Sequence, residues 1–225
     1  MSFQIEVFGT SAYPAAAADI IAGLLPGTGG SLVLTGGTTA QKIYPVIEEV
    51  SPPSLGGLDI LFSDERCVPP DHDESNFKMV TELLFGGAAP SGVHRMRGEE
   101  PPERAAALYS EEIAPVIEGG VDLLLLGMGA DAHVGAMFPG SPALEETERL
   151  CRAVDRPDGM QGLTLTPPAM LSAKTILLLV TGEKKAETVA RVIQGNEPVE
   201  TCPARLLATH PNVTFLLDEP AASAL

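Results

Sequence analysis

Short apolar runs alternate with helix-patterned stretches from one end of this 225-residue chain to the other, and few features restrict a fold so sharply. The strand-length runs are Phe3–Phe8, Ser31–Leu34, Asp59–Phe62, Asp122–Leu126, Thr175–Val180 and Val213–Leu217. Several are apolar without interruption, as parallel strands covered on both faces are. Between them the spacing predicts helices over Ala15–Leu25, Ala40–Val50, Ser75–Leu84, Pro102–Ile117, Lys184–Ile193 and Ala204–Ala208. Strand–helix alternation with short connections implies right-handed crossovers, hence a doubly wound α/β fold with a mostly parallel sheet and helices on both faces. The breakers in Leu25–Gly30 and Ser51–Pro53 mark loops within that fold. With no repeat or low-complexity tract, residues 1–225 are expected to form a single domain.

Composition narrows the function classes. No apolar run reaches the length of a membrane span. The first eight residues alternate like a strand and lack the basic and apolar regions of a signal peptide. Cys67, Cys151 and Cys202 are odd in number and scattered, which suits reduced thiols in a cytoplasmic protein better than disulfides or a zinc site. A formal charge of −16 argues against nucleic-acid and anionic-membrane partners. The same charge would repel a phosphorylated ligand at long range, so such a ligand needs a locally positive pocket. Nothing here separates a monomer from a small homo-oligomer.

Four strand ends carry chemistry. After Leu32–Leu34 come Thr35, Gly36, Gly37, Thr38 and Thr39, then a helix. Glycines permit close backbone approach, and a helix N-terminus favours an anion. The simpler alternative is a tight turn with a threonine N-cap. After Asp59–Phe62 come Asp64, Glu65 and Arg66, then Pro69-Pro70, His72, Ser75 and Asn76. Arg66 could hold a phosphate or stabilise an oxyanion, and Asp64 could act as a base or orient a neighbour. An exposed acid–arginine pair of little energetic consequence is the alternative. His72 between two aspartates reads as a solvated loop residue, with Ser75 capping the next helix. After Asp122–Leu126, the loop Gly127–Gly140 presents Asp131 and His133 two residues apart, a pairing suited to proton transfer. Its Gly127-Met128-Gly129-Ala130-Asp131-Ala132 resembles a dinucleotide fingerprint, but Pro139-Gly140 interrupts the required helix and Asp131 would repel a pyrophosphate. After Thr175–Val180, Lys184 and Lys185 fall at the start of a helix, where the macrodipole disfavours cations unless an anion joins them. No nucleophile elbow, H-E-x-x-H motif or His/Cys metal spacing is present, so neither metal nor cofactor is expected.

Together these segments resemble the 6-phosphogluconolactonases of the sugar-phosphate isomerase and lactonase superfamily. The family's Gly-Gly-Ser/Thr-Thr loop is similar to Gly36–Thr39. Its Asp-Glu-Arg-x-Val-Pro…His…Ser-Asn block matches Asp64, Glu65, Arg66, Val68, Pro69, His72, Ser75 and Asn76. Its Gly-Met-Gly-x-Asp-Gly-His-Thr…Phe-Pro-Gly signature matches Gly127, Met128, Gly129, Asp131, His133, Phe138, Pro139 and Gly140. Its Gly-x-x-Lys-Ala turn aligns Lys185. Val93–Met96 and the ending Pro203–Leu225 fit as well. Three positions depart: Ala132 stands for a glycine and is strained if φ is positive there. Val134 stands for a threonine. Gly162 stands where the family carries an arginine, leaving Arg156 or Arg66 to supply that charge.

The resemblance implies a Rossmann-like fold of the sugar-phosphate isomerase type and hydrolysis of 6-phospho-D-glucono-1,5-lactone in the pentose phosphate pathway. In that reading His133 activates water without a covalent intermediate, Asp131 orients it, Arg66 stabilises the oxyanion, and Asp64 completes the catalytic set. Gly36, Gly37, Thr38, Thr39, Gly129 and Lys185 bind the phosphorylated sugar lactone. A glucosamine-6-phosphate deaminase-like isomerase is the runner-up, disfavoured because Ala136–Gly140 lacks that relative's Phe-Asn-Glu-Pro-Gly and because Arg66 is present. A non-catalytic sugar-phosphate sensor is the third reading.

Overall fold

The computed structural model describes residues 3–50, 55–87 and 89–225, so the expected Ser51–Pro53 loop lies outside the described residues. Among the described residues, nine strands run in the order β1 (Gln4–Phe8), β2 (Ser31–Leu34), β3 (Asp59–Phe62), β4 (Asp64–Arg66), β5 (Leu123–Gly127), β6 (Cys151–Asp155), β7 (Gln161–Leu165), β8 (Thr175–Val180) and β9 (Val213–Asp218). The helices are α1 (Tyr13–Leu24), α2 (Thr38–Val50), α3 (Asn76–Leu83), α4 (Pro102–Glu118), α5 (Pro167–Leu171), α6 (Ala186–Gln194) and α7 (Glu219–Ala222).

Six strands form a fully parallel sheet in the order β1-β9-β8-β5-β2-β3. Side-chain alternation divides its core in two. Leu32, Leu34, Leu123 and Leu125 pack with Tyr13, Ile21, Ile43, Tyr44 and Val80 of α1, α2 and α3. Val33, Leu124 and Leu126 point the other way, into a cluster with Tyr109 and Ile113 of α4 and Val189 and Val192 of α6. Burial on both faces is why these strands read as continuous apolar runs. At the β3 edge the open backbone groups are covered: Ile60 N–H donates to Gly92 C=O, and Phe62 N–H donates to the Tyr109 hydroxyl.

Three strands were not expected from the sequence. At Ser63 the chain turns out of the main sheet, and β4 pairs antiparallel with β7, which pairs with β6. These strands are short and mix polar with apolar residues, so they give no apolar run. The expected helix Ala204–Ala208 is instead a 3₁₀ segment, Pro203–Thr209, begun by a proline. The expected Lys184–Ile193 helix begins only at Ala186, because Glu183–Lys185 form a separate 3₁₀ turn after Gly182, whose φ is 97°.

The strand order reverses between β2 and β5. From β2 the chain moves outward to β3, whereas β5 leads through β8 to β9 on the opposite side. The crevice beyond the carboxyl ends of such a strand pair is where open α/β sheets bind ligands.

Candidate active site

β5 ends at Gly127, and the following loop is tied down on several sides. Gly129 N–H donates to His133 C=O and Ala132 N–H donates to Gly129 C=O, closing a tight turn. Ala204 N–H donates to Ala132 C=O, and the Thr188 hydroxyl donates to Ala130 C=O. Within this frame His133 Nδ1 lies 2.6 Å from Asp131 Oδ1. A carboxylate on Nδ1 favours the proton there and leaves Nε2 as the accepting nitrogen. Burial tends to raise the Asp131 pKa, but the hydrogen bond and charge of His133 outweigh it and hold the carboxyl below its usual range. The pair needs Gly129: a Cβ there would stand 2.1 Å from His133 Nδ1 and 2.5 Å from Asp131 Oδ1. Phe138 supports the imidazole, with ring centroids 4.5 Å apart.

Ala132 does adopt the strained conformation, with φ of 69°, alone among the described non-glycine residues. That backbone costs a side chain about 1–2 kcal/mol, and the buried methyl returns about 0.8 kcal/mol. Val134 is fully buried between the β-bridges to Met128 and Met137, so an apolar side chain suits its surroundings.

Beside this loop, β2 runs into Thr35, whose backbone N–H donates to the Tyr44 hydroxyl and whose C=O accepts from it. Thr35 Oγ1 accepts from Gly127 N–H, joining the ends of β2 and β5. Gly37 turns the chain with φ of 92°, and α2 begins at Thr38. Thr39 Oγ1 lies 3.0 Å from Thr181 Oγ1, which fixes the start of α2 to the end of β8. Lys185 sits in the next turn. Burial pushes its ammonium below the usual lysine range, against the opposing pull of Asp218, and Lys42 adds to the depression. Lys184 is exposed.

The third wall comes from β4 and α3. Ser75 caps α3 as expected, its hydroxyl accepting from Lys78 N–H. Glu65 is buried and accepts four bonds, from the backbone N–H groups of Arg66, Asn76 and Phe77 and from the Ser75 hydroxyl. Burial still raises its pKa, with those bonds pulling the other way. Asn76, held this way, donates through Nδ2 to the Asp64 carboxylate and accepts from Arg66 Nη1. A Cβ on Gly36 would overlap the Asn76 amide, so that glycine is a close-approach position.

These walls enclose a cavity of about 220 Å³ lined by Gly36, Gly37, Thr38, Thr39, Asp64, Gly129, His133 and Lys185, all candidates from the sequence. Asp131 reaches it through His133. Arg66 is not on this wall; its guanidinium lies against Asn76. Of the two arginines left to supply the missing charge, Arg156 lines the cavity, as does Asn76, which the sequence offered only as part of the matched block. The turn signal Pro157-Asp158-Gly159, next to Arg156, marks the β6–β7 hairpin that delivers it. Among the described residues no group of three or more His, Cys, Asp or Glu side chains is placed to hold a metal ion. No described helix is long and apolar enough to cross a membrane.

A model of the family described as glucosamine-6-phosphate isomerases/6-phosphogluconolactonase matches residues 16–216. The 6-phosphogluconolactonase of Homo sapiens is 35% identical over 207 residues, covering 88% of this chain and 79% of the relative. That of Mycobacterium bovis is 33% identical over 247 aligned positions, covering 100% of this chain and 99% of the relative. Among solved structures, 6-phosphogluconolactonase from Trypanosoma cruzi superposes with a TM-score of 0.88 at 27% identity, covering 100% of this chain and 98% of that one.

Proposed function

The chain belongs to the family of glucosamine-6-phosphate isomerases and 6-phosphogluconolactonases, and we propose that it hydrolyses 6-phospho-D-glucono-1,5-lactone to 6-phospho-D-gluconate in the pentose phosphate pathway. The observation that carries the reading is the Asp131–His133 pair, 2.6 Å apart, facing the glycine loop at the start of α2 across one cavity. A δ-lactone is an activated ester, so a base, charge stabilisation and positioning suffice without a covalent nucleophile.

His133 Nε2 takes a proton from water as the water oxygen bonds to the lactone carbonyl carbon. The carbonyl oxygen becomes an oxyanion, and Asp131 stabilises the imidazolium that has formed. The bond from that carbon to the ring oxygen then breaks, and His133 returns its proton to the departing ring oxygen. Arg66 supports the oxyanion from behind Asn76, through the field of its guanidinium. Asp64 orients Asn76 on the cavity wall. Gly36, Gly37, Thr38, Thr39 and Lys185 receive the phosphate at the N-terminus of α2, and Gly129 leaves room for the dyad.

The substrate assignment is checked with freshly generated lactone, corrected for spontaneous opening, alongside ammonia release from glucosamine 6-phosphate. Lactone hydrolysis without ammonia release is expected; ammonia release without lactone hydrolysis would move the chain to the deaminase branch. Tight binding of 6-phosphogluconate with neither activity would make it a sensor.

A further inference from the structure

Arg156 enters the cavity from outside the four strand-end motifs. It sits at the end of β6, where its N–H donates to Met160 C=O across the hairpin. Its side chain then crosses the neighbouring strand at Gly162. A Cβ at Gly162 would stand 3.1 Å from Arg156 Cδ and 3.4 Å from its Cγ, so the missing side chain there makes the passage. The guanidinium is held on two sides. Nε and Nη2 donate to the Asp158 carboxylate, Nη2 at 2.8 Å, and the guanidinium carbon lies 5.5 Å from the centre of the Phe138 ring. Phe138 in turn contacts the His133 ring. Nη1 makes no hydrogen bond to any described residue, while the residue lines the cavity together with Lys185, the other lysine or arginine on its wall among the described residues.

A protein of net charge −16 that takes a dianion needs concentrated local positive charge. A planar fork suits a phosphoryl group better than an ammonium does. We propose that Arg156, passing through the space left by Gly162 and braced by Asp158 and Phe138, binds the phosphoryl group and sets the preference for phosphorylated over unphosphorylated lactones. This rests on the lactonase reading for the substrate, but the anion site itself does not.

The test compares wild type, Arg156→Gln and Arg156→Lys in two assays. One is the ratio of kcat/KM for the phosphorylated lactone to that for glucono-1,5-lactone. The other is calorimetric titration with inorganic phosphate, which needs no turnover. Losing one charged fork is expected to lower the ratio about tenfold and weaken phosphate binding about tenfold, with Arg156→Lys between the two. Gly162→Ala, which crowds the Arg156 stem, is expected to lower the ratio in wild type but not in Arg156→Ala. An unchanged ratio, with both lactones losing equally, would overturn the proposal, as would phosphate affinity within about twofold of wild type. If wild type hydrolyses neither lactone, the lactonase reading falls and the phosphate titration alone decides the role of Arg156.

Discussion

At the scale of single residues, the site depends as much on side chains that are missing as on those present. Gly129 leaves the space in which His133 Nδ1 and Asp131 Oδ1 meet, with any Cβ only 2.1 Å from the imidazole. Gly129→Ala is therefore expected to separate the pair and cut kcat by at least about tenfold while the fold survives, since the change falls on a loop. Circular dichroism together with turnover checks this. Lys185 makes a second expectation. Burial lowers its pKa, so the free enzyme sheds that proton at a lower pH than an ordinary lysine does. In the linkage to folding, the protonated lysine costs stability; the cost is full below the folded pKa and disappears as pH rises from there through the ordinary lysine pKa of the unfolded chain. A bound phosphate favours the protonated form, so KM for the phosphorylated lactone is expected to rise with pH through that pKa. Lys185→Met should abolish this alkaline limb in KM–pH profiles. Asp131, His133, Gly36–Thr39 and Lys185 were legible in the sequence because they follow apolar strands in compact motifs. Arg156 was named there only as one of two arginines, and Asn76 only as part of a matched block, because only the hairpin and the start of α3 bring them to the cavity.

At the scale of elements, the wall formed by β4 and α3 hangs on one buried carboxylate. Glu65 accepts from three backbone N–H groups and the Ser75 hydroxyl, and so fixes both the start of α3 and Asn76 against Asp64. Glu65→Ala leaves those donors without a buried partner and is expected to cost about 3 kcal/mol or more in chemical denaturation. A loss under about 1 kcal/mol would mean that water replaces the carboxylate there. The strands of the parallel sheet were legible within a residue or so because burial on both faces writes an apolar run. β4, β6 and β7 were not, because three to five mixed residues write no period. Helix starts shifted for a similar reason: the expected Ala40 start moved to Thr38 once the turn at Gly37 was made.

At the scale of the whole molecule, a doubly wound sheet places the loops after β2 and β5 side by side where the strand order reverses. The alternation of elements foretold such a sheet, but the order of its strands is set by long-range pairing that no local pattern records. The cavity's cations sit inside a strongly acidic protein. Between about 10 mM and 150 mM salt the Debye length shrinks from about 30 to 8 Å, screening the distant carboxylates more than contacts within the cavity. Stopped-flow or initial-rate measurements across that range are expected to show kcat/KM rising for the phosphorylated lactone and staying flat for glucono-1,5-lactone. A steep fall for the phosphorylated substrate would mean that net attraction, not repulsion, governs encounter. The central claim is that His133 activates the water. Hydrolysis of freshly generated 6-phosphogluconolactone by wild type and His133→Ala tests it most directly. A loss of about 10²–10⁴ in kcat with an unchanged unfolding transition is expected; wild-type turnover in the variant would contradict it.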